Sequence, residues 1–312
     1  MKQSTSHILM IRPVDFQLNT ETAVNNFFQK ELELSAENIN HKAQEEFDNF
    51  VKDLREANIN VYVFDDLAEN KAPDSIFPNN WVSFHEDGNI ALYPMFAESR
   101  RRERRMDVLE QLEQTGFIFK EVYDYTSAEQ EGEFLEGTGS LILDRPNKKA
   151  YCALSPRADE DLLIEFCEDF EYMPIPFVAN QTVNSDRLPI YHTNVMMCVA
   201  EKLAVVCFDS IDEKKQKSLV SQSLLEDGKT IINISEDQMH QFAGNMLEVT
   251  SSKGEKYLVM SSTAYHSLTS EQIEQINKHL KILHSPIPTI ETLGGGSTRC
   301  MMAEVFNPMV EK

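Results

Sequence analysis

Ser140-Leu141-Ile142-Leu143, then Arg145-Pro146-Asn147, then Ala150-Tyr151-Cys152-Ala153-Leu154: two short apolar runs separated by a turn decide how this chain is read. Pro and Asn between strand-forming segments signal a hairpin. Beyond it, residues 158–170 place Leu162, Leu163 and Phe166 at helical spacing, and Tyr172–Val178 reads as a further strand. The same order of strand, turn, strand, helix and strand comes three more times. Trp81–Phe84 and Ile90–Tyr93 flank Glu86-Asp87-Gly88-Asn89, ahead of a helix over 99–115 carrying Leu109 and Leu112, and a strand over Phe117–Val122. Val195–Ala200 and Ala204–Phe208 flank Glu201-Lys202, ahead of a helix over 212–226 and the strand Thr230–Ile234. Met246–Thr250 and Tyr257–Ser261 flank Lys253-Gly254-Glu255, ahead of a helix over 270–281 and a strand over Ile287–Ile290.

A fifth unit is expected to be divided between the two ends of the chain. Met301–Phe306 would pair beside Ile8–Ile11, with a helix over 41–57 and a strand at Asn60–Phe64. Uniting the ends in one blade closes a circle of sheets and removes free edges. The expectation is a single α/β domain over residues 1–312, a five-bladed α/β propeller of pseudo-fivefold ββαβ repeats. The amphipathic helices would form its outer layer, and the polar, patternless residues 20–40 a loop over the axis.

Composition bounds the function. With 41% hydrophobic and 26% charged residues, the chain has an ordinary globular make-up. A net charge of −22 excludes a broad phosphate-backbone footprint, so no nucleic-acid partner is expected. Ile8–Ile11 is too short for a signal peptide and is interrupted by Arg12-Pro13, and no apolar run approaches the ~20 residues of a membrane span. A cytoplasmic location is the expectation, with no membrane partner. Oligomeric state stays open, including a homo-oligomer. Four of the five cysteines, Cys152, Cys167, Cys198 and Cys207, lie inside apolar runs and read as packed thiols, and the odd count argues against a disulfide framework.

Cys300 is different. It ends Gly294-Gly295-Gly296-Ser297-Thr298-Arg299-Cys300, where glycines free the backbone and Arg299 places a cation next to the thiol in sequence. Two readings fit these residues alone: a glycine-rich loop ending in a buried Cys, or an activated nucleophile. Four other segments occupy corresponding blade entrances: Asp74-Ser75-Ile76-Phe77-Pro78-Asn79-Asn80, Phe134-Leu135-Glu136-Gly137-Thr138-Gly139-Ser140, Tyr191-His192-Thr193-Asn194 and Gln241-Phe242-Ala243-Gly244-Asn245. Loops at one end of each blade would converge on the axis. A Cys, a His and a Glu brought together supply a nucleophile, a general acid/base and the group that orients it.

These motifs resemble the pentein, or guanidino-group modifying, superfamily of arginine deiminases, dimethylarginine dimethylaminohydrolases and amidinotransferases. Gly294–Cys300 with Met301 resembles the nucleophile loop of arginine deiminases. Leu135–Gly139 resembles an acidic-Gly-Gly-Asp loop, from which Thr138 and Ser140 depart. Asp74–Asn80 resembles the substrate loop of dimethylarginine hydrolases. Ala153-Leu154-Ser155-Pro156-Arg157 and Ser99-Arg100-Arg101 resemble that family's two arginine-bearing segments. The matches run from position 12 to position 300. The resemblance implies a five-bladed propeller with Cys300 as nucleophile, His192 as general acid/base and Glu136 holding the imidazole and favouring its charged form. Asp74, Phe77, Asn79, Asn80 and Asn194 would bind substrate, with Arg157, Arg100 and Arg12 as candidate grips for an α-carboxylate. Neither metal nor organic cofactor is implied.

Two departures bear on the substrate. Arginine deiminases set carboxylates against the guanidinium where this chain has Asn80 and Asn194. An amide offers both a donor and an acceptor, which a carboxylate cannot. A neutral ureido group needs that donor for its carbonyl. The resemblance is closest to the citrulline-utilising hydrolase branch, which implies conversion of citrulline to ornithine, carbon dioxide and ammonia. Alternatives are an arginine- or dimethylarginine-type hydrolase, an enzyme like succinylarginine dihydrolase, and, in another class, a binding protein of this fold without catalysis.

Overall fold

In a computed structural model that describes residues 1–310, five three-stranded sheets share one topology. In each, the first strand pairs antiparallel with the second, and the second runs parallel to a third that follows a helical crossover. Parallel neighbours require such a crossover, whereas the antiparallel pair needs only a turn. Leu141–Asp144 lies against Lys149–Leu154 with Leu141 opposite Cys152, and Lys149–Leu154 runs beside Met173–Val178. The intervening helix Glu160–Asp169 starts at Asp159, whose side chain accepts from the backbone N–H groups of Asp161 and Leu162. It buries Leu162, Leu163, Phe166 and Cys167 on its sheet-facing side.

The other sheets repeat this pattern: Val82–Phe84, Ile90–Leu92 and Val122–Asp124; Met197–Val199, Leu203–Val206 and Thr230–Asn233; Leu247–Thr250, Lys256–Ser261 and Lys281–Ser285. The fifth joins Ala303–Glu304 to His7–Arg12, with Leu9 opposite Ala303, and then to Asn60–Asp65 beyond the helix Ala36–Glu56. Both ends of the chain therefore meet in one sheet, as the split unit predicted.

Several elements depart from the sequence reading, among them the helix expected over 99–115, which is two helices, Glu98–Arg101 and Met106–Gln114. The strand expected at Phe117–Val122 starts only at Val122, because Phe117 bridges to Met309 and Ile118 N–H donates to the Pro308 carbonyl. The strand expected at Ile287–Ile290 is Lys281–Ser285, and Pro288 instead opens the helix Pro288–Gly294, where its fixed φ suits the first helical turn. A hairpin of Asn180–Val183 and Asp186–Pro189, absent from the repeat, is inserted just before Tyr191-His192. Residues 20–35 contain neither α-helix nor strand, and the helix that follows begins at Ala36, N-capped by Ser35.

The core is divided among four hydrophobic clusters, and each joins neighbouring sheets. Leu9, Ile11 and Ala303 pack with Val82 and Phe84; Ala91 and Tyr93 with Leu141, Leu143 and Cys152; Ile142 and Tyr151 with the strands Met197–Val199 and Leu203–Val206, and with Leu258 and Met260; Val249 and Val259 with Ile8 and Met10. Burying one Phe, Leu or Ile stabilises a fold by about 1.5–3 kcal/mol, so these contacts dominate the energetics. The first residues add polar ties. Lys2 N–H donates to Glu86, Gln3 Nε2 to the Leu143 and Val199 carbonyls, Ser4 Oγ to Glu248, and Thr5 Oγ1 to the Val305 carbonyl. One short segment thus touches all five sheets or their turns. Between the second and third sheets, buried Lys229 pairs with Asp144 at 2.8 Å and donates to the Ala200 and Glu201 carbonyls.

Candidate active site

A short irregular segment precedes the first strand of every sheet, and these five segments bond to one another in succession. Each begins where a turn or a single helical turn holds polar side chains ahead of an apolar strand. The segment around Pro78–Asn80 meets Gly137–Ser140 through Asn79 Nδ2 to Thr138 Oγ1 (3.4 Å) and Thr138 Oγ1 to the Asn79 carbonyl (3.2 Å). Thr193 Oγ1 donates to the Ser140 carbonyl at 2.6 Å, Asn245 Nδ2 to the Asn194 carbonyl at 3.0 Å, and Arg299 N–H to Asn245 Oδ1 at 3.1 Å. Gly294 and Gly296 then lie against the Phe77 ring, where a Cβ on either would intrude.

His192, Glu136 and Cys300 all lie within this set and are buried. His192 Nε2 contacts Glu136 Oε2 at 2.6 Å. Glu136 also accepts from Phe96 N–H at 3.0 Å, and Arg100 Nη1 and Arg157 Nη1 each stand 3.5 Å from Oε2. Burial pushes the Glu136 carboxyl up, but Arg157, the His192 hydrogen bond and Arg100 outweigh it and hold the group well below the usual carboxylate range. For His192 the balance runs the other way. Burial, with Arg157 and Arg100 adding to it, exceeds the pull of Glu136, and the imidazole is pushed down to about 4. Glu136 itself pulls the imidazole towards its charged form, and burial with the two arginines outweighs that pull, so the resting ring is neutral at pH 7. It donates Nε2–H to the carboxylate, which fixes its tautomer.

Asn80 and His192 close over Gly139, with no room for a Cβ there: His192 Nδ1 would lie 2.9 Å from it and Asn80 Nδ2 closer still. Gly137 takes φ +45° and passes against the Asn79 and Asn80 carbonyls, a path that only glycine follows without strain. Cys300 Sγ accepts from Asn194 Nδ2 at 3.3 Å and Asn245 Nδ2 at 3.2 Å. The Arg299 guanidinium is turned elsewhere, to the Met302 carbonyl at 3.1 Å and Glu304 at 3.5 Å, so it is no hydrogen-bond partner of the thiol beside it in sequence. The other four cysteines are buried with their thiols pushed up by burial, Cys167 and Cys198 to about 12.

The predicted substrate residues divide. Asp74, Phe77, Asn79, Asn80, Asn194, Arg100 and Arg157 are all buried at the loop ends. Arg12 is not among them: it forks to Asp48 at 2.8 Å through two nitrogens, partly exposed at the end of its strand. Arg100 is held by a buried fork to Glu103 at 2.9 Å, with Asp74 at 3.9 Å, and Arg157 by the Asn25 side chain and the Thr22 carbonyl. Residues 19–29 thus lie directly over the site. Asn19 and Thr22 donate to Asp74, and Asn26 Nδ2 to the Gly294 carbonyl. Tyr191 joins this cover, its hydroxyl on the Gly295 carbonyl at 2.5 Å and its ring beneath the Arg157 guanidinium. Glu103, Asn25 and Asn245 were not foreseen as site residues. Asn245 carried a usable signal: it is the last polar residue before an apolar strand, as Asn80 is before Trp81 and Asn194 before Val195. Among the described residues no group of three or more His, Cys, Asp or Glu is disposed to hold a metal ion, and no helix is long and apolar enough to cross a membrane.

Repeated three-stranded sheets with polar loops gathered at one end define a protein of the pentein, guanidino-group modifying superfamily. Solved structures with this fold include the cyanobacterial arginine dihydrolase ArgZ of the ornithine-ammonia cycle (TM-score 0.74, 16% identity, covering 97% of this chain and 41% of that one). AgrE bound to ornithine and NAD+ aligns at TM-score 0.70 and 16% identity (98% of this chain, 40% of that one), and a dimethylarginine dimethylaminohydrolase adduct with S-methyl-L-thiocitrulline at 0.65 and 14% (96% and 98%). The chain spans about two fifths of full ArgZ and AgrE, but 99% of the isolated N-terminal domain of ArgZ. No curated protein matches it by sequence. More narrowly, the chain belongs to the family of eukaryotic-type N,N dimethylarginine dimethylhydrolases, whose profile matches residues 12–307.

Proposed function

We propose that this chain is a single-domain, five-bladed propeller whose Cys300 attacks the ureido carbon of a free amino acid, converting citrulline to ornithine, carbon dioxide and ammonia. The unbroken succession of loop contacts and the packing of each sheet on the next, last to first, support the propeller. One observation carries the substrate reading. Asn80 Nδ2 and Asn194 Oδ1 are buried without hydrogen-bond partners, one a donor and one an acceptor. A ureido group supplies the complementary carbonyl and N–H, and leaving either amide atom unpaired costs about 1–3 kcal/mol. A carboxylate at position 80 could not make the first bond.

In the proposed chemistry the Cys300 thiolate adds to the ureido carbon. The proton that the Cys300 thiol gives up passes to the free ring nitrogen of neutral His192, and the imidazolium so formed delivers it to the departing ammonia, while Glu136 holds the ring. Water then cleaves the thiocarbamate, and the released carbamate loses carbon dioxide to leave the amine. Glu136 and the two arginines make this step electrostatic as well as positional.

A second reading has its own support. Asn194 Oδ1 is a buried acceptor without a partner, and an amide can accept from a guanidinium first and donate to a ureido intermediate afterwards. That would make the enzyme a dihydrolase releasing two ammonia molecules from arginine or a substituted arginine. Incubation with citrulline, arginine, dimethylarginine or succinylarginine, followed by assays of ornithine, citrulline and ammonia, separates the two. Citrulline consumption with one ammonia per ornithine is expected. Turnover of arginine or dimethylarginine with inert citrulline defeats the ureido reading.

A further inference from the structure

Cys300 Sγ is approached by two neutral donors and by no cation within hydrogen-bond distance. The Asn245 amide is fixed at both ends. Its Oδ1 accepts from Arg299 N–H at 3.1 Å, which forces its NH2 group towards the sulfur at 3.2 Å and the Asn194 carbonyl at 3.0 Å. Asn245 is fully buried, so water does not compete for that donor. The titratable groups that interact with the thiol include Arg299, committed to Met302 and Glu304, and Tyr191, whose phenol burial keeps protonated and whose ring packs on His192.

We propose that Asn245 is a catalytic residue: with Asn194 it forms a neutral two-donor cradle that stabilises the Cys300 thiolate and fixes the direction in which the sulfur attacks. This rests on the reading of Cys300 as the nucleophile. Hydrogen bonds to a charged acceptor are worth more than those to a neutral one, so the cradle favours thiolate over thiol. It also releases the sulfur at little cost. When the thiolate becomes the sulfur of the thiocarbamate and its charge is lost, the Asn245 amide still has the Asn194 carbonyl, so bond formation does not orphan that donor. A cation at the same place would hold the charge more tightly and weaken the nucleophile.

The test is the pH dependence of iodoacetamide labelling at Cys300, read by mass spectrometry in the wild type, Asn245→Ala and Asn245→Asp. In the wild type Cys300 is expected to label faster than Cys152, Cys167, Cys198 and Cys207. Asn245→Ala is expected to slow labelling at pH 7 about tenfold, the worth of one such hydrogen bond, and to move the profile to higher pH. Asn245→Asp keeps an acceptor for Arg299 N–H and is nearly isosteric, so it tests the donor without emptying the site. It is expected to slow labelling further by setting a carboxylate against the thiolate. Unchanged profiles in both folded variants overturn the cradle alone. A wild-type Cys300 no more reactive than the other cysteines overturns the nucleophile reading, and the cradle with it.

Discussion

Gly139 leaves the space that Asn80 and His192 occupy, and that makes it the most sensitive neutral position in the site. Gly139→Ala is expected to lower kcat at least about tenfold and to cost about 1–3 kcal/mol in denaturant unfolding, the usual penalty of overpacking. Cys300→Ala is expected to abolish turnover, assayed with the substrates above, while leaving the thermal midpoint nearly unchanged. His192 gives a pH signature. Its folded value of about 4 lies below the ordinary 6.5, so the unfolded chain takes up the proton first as pH falls. The associated stability is complete above pH 6.5 and is lost as pH drops through 4, about 3 kcal/mol in all, and Glu136 adds loss in the same direction below its ordinary range. Urea unfolding across that window should show the slope, and His192→Asn should flatten it. At this scale the sequence exposed most of the polar groups that gather here, because each ends a loop before an apolar strand. Arg12 misled because an arginine beside a motif reveals nothing of its partner, and Asp48 claims it. Glu103 stayed hidden because a basic run, Arg100–Arg105, does not disclose which of its members turns inward.

The segment over the site shows what a single element can gate. Asn25 and Thr22 bond Arg157, which in turn stands 3.5 Å from Glu136, so the cover and the Glu136 carboxylate share one guanidinium. Asp74, Phe77, Asn79, Asn80, Asn194, Arg100 and Arg157 are buried beneath or beside it, so lifting this segment would uncover them. Asn25→Ala removes Arg157's side-chain anchor on the cover. It is expected to raise KM more than it lowers kcat, and to speed tryptic cleavage after exposed Lys30 several-fold in limited proteolysis. The repeat was legible because turn residues punctuate apolar strands at near-constant spacing. Its errors share a cause: the apolar pattern outruns the element that uses it, ahead of the strand at Phe117–Val122 and beyond it at Ile287–Ile290. Backbone partners such as Met309, or a proline's fixed φ, then decide the boundary. The hairpin before His192 stayed hidden because its strands, Asn180–Val183 and Asp186–Pro189, are polar and held by Arg187 to Asp212 and Glu236, contacts distant in sequence.

Across the whole molecule, sheets are fastened by side chains buried between them. Lys229→Ala would strand Asp144 without its cation, and the cost expected from thermal or urea unfolding is about 3–5 kcal/mol, whereas a solvent-exposed pair such as Lys278–Glu274 should contribute less than about 1 kcal/mol. The pairing of sheets could be inferred from composition and spacing, but these ties could not, since they join residues far apart in the chain. The fifth sheet has a consequence in time as well as space. His7–Arg12 is synthesised before the other four sheets, yet it waits for Ala303–Glu304 before its antiparallel neighbour exists. Cys300 lies only a few residues before that strand. During synthesis the other four loops can gather without this thiol, which arrives just ahead of Ala303–Glu304, so Cys300 joins them only as the fifth sheet is completed.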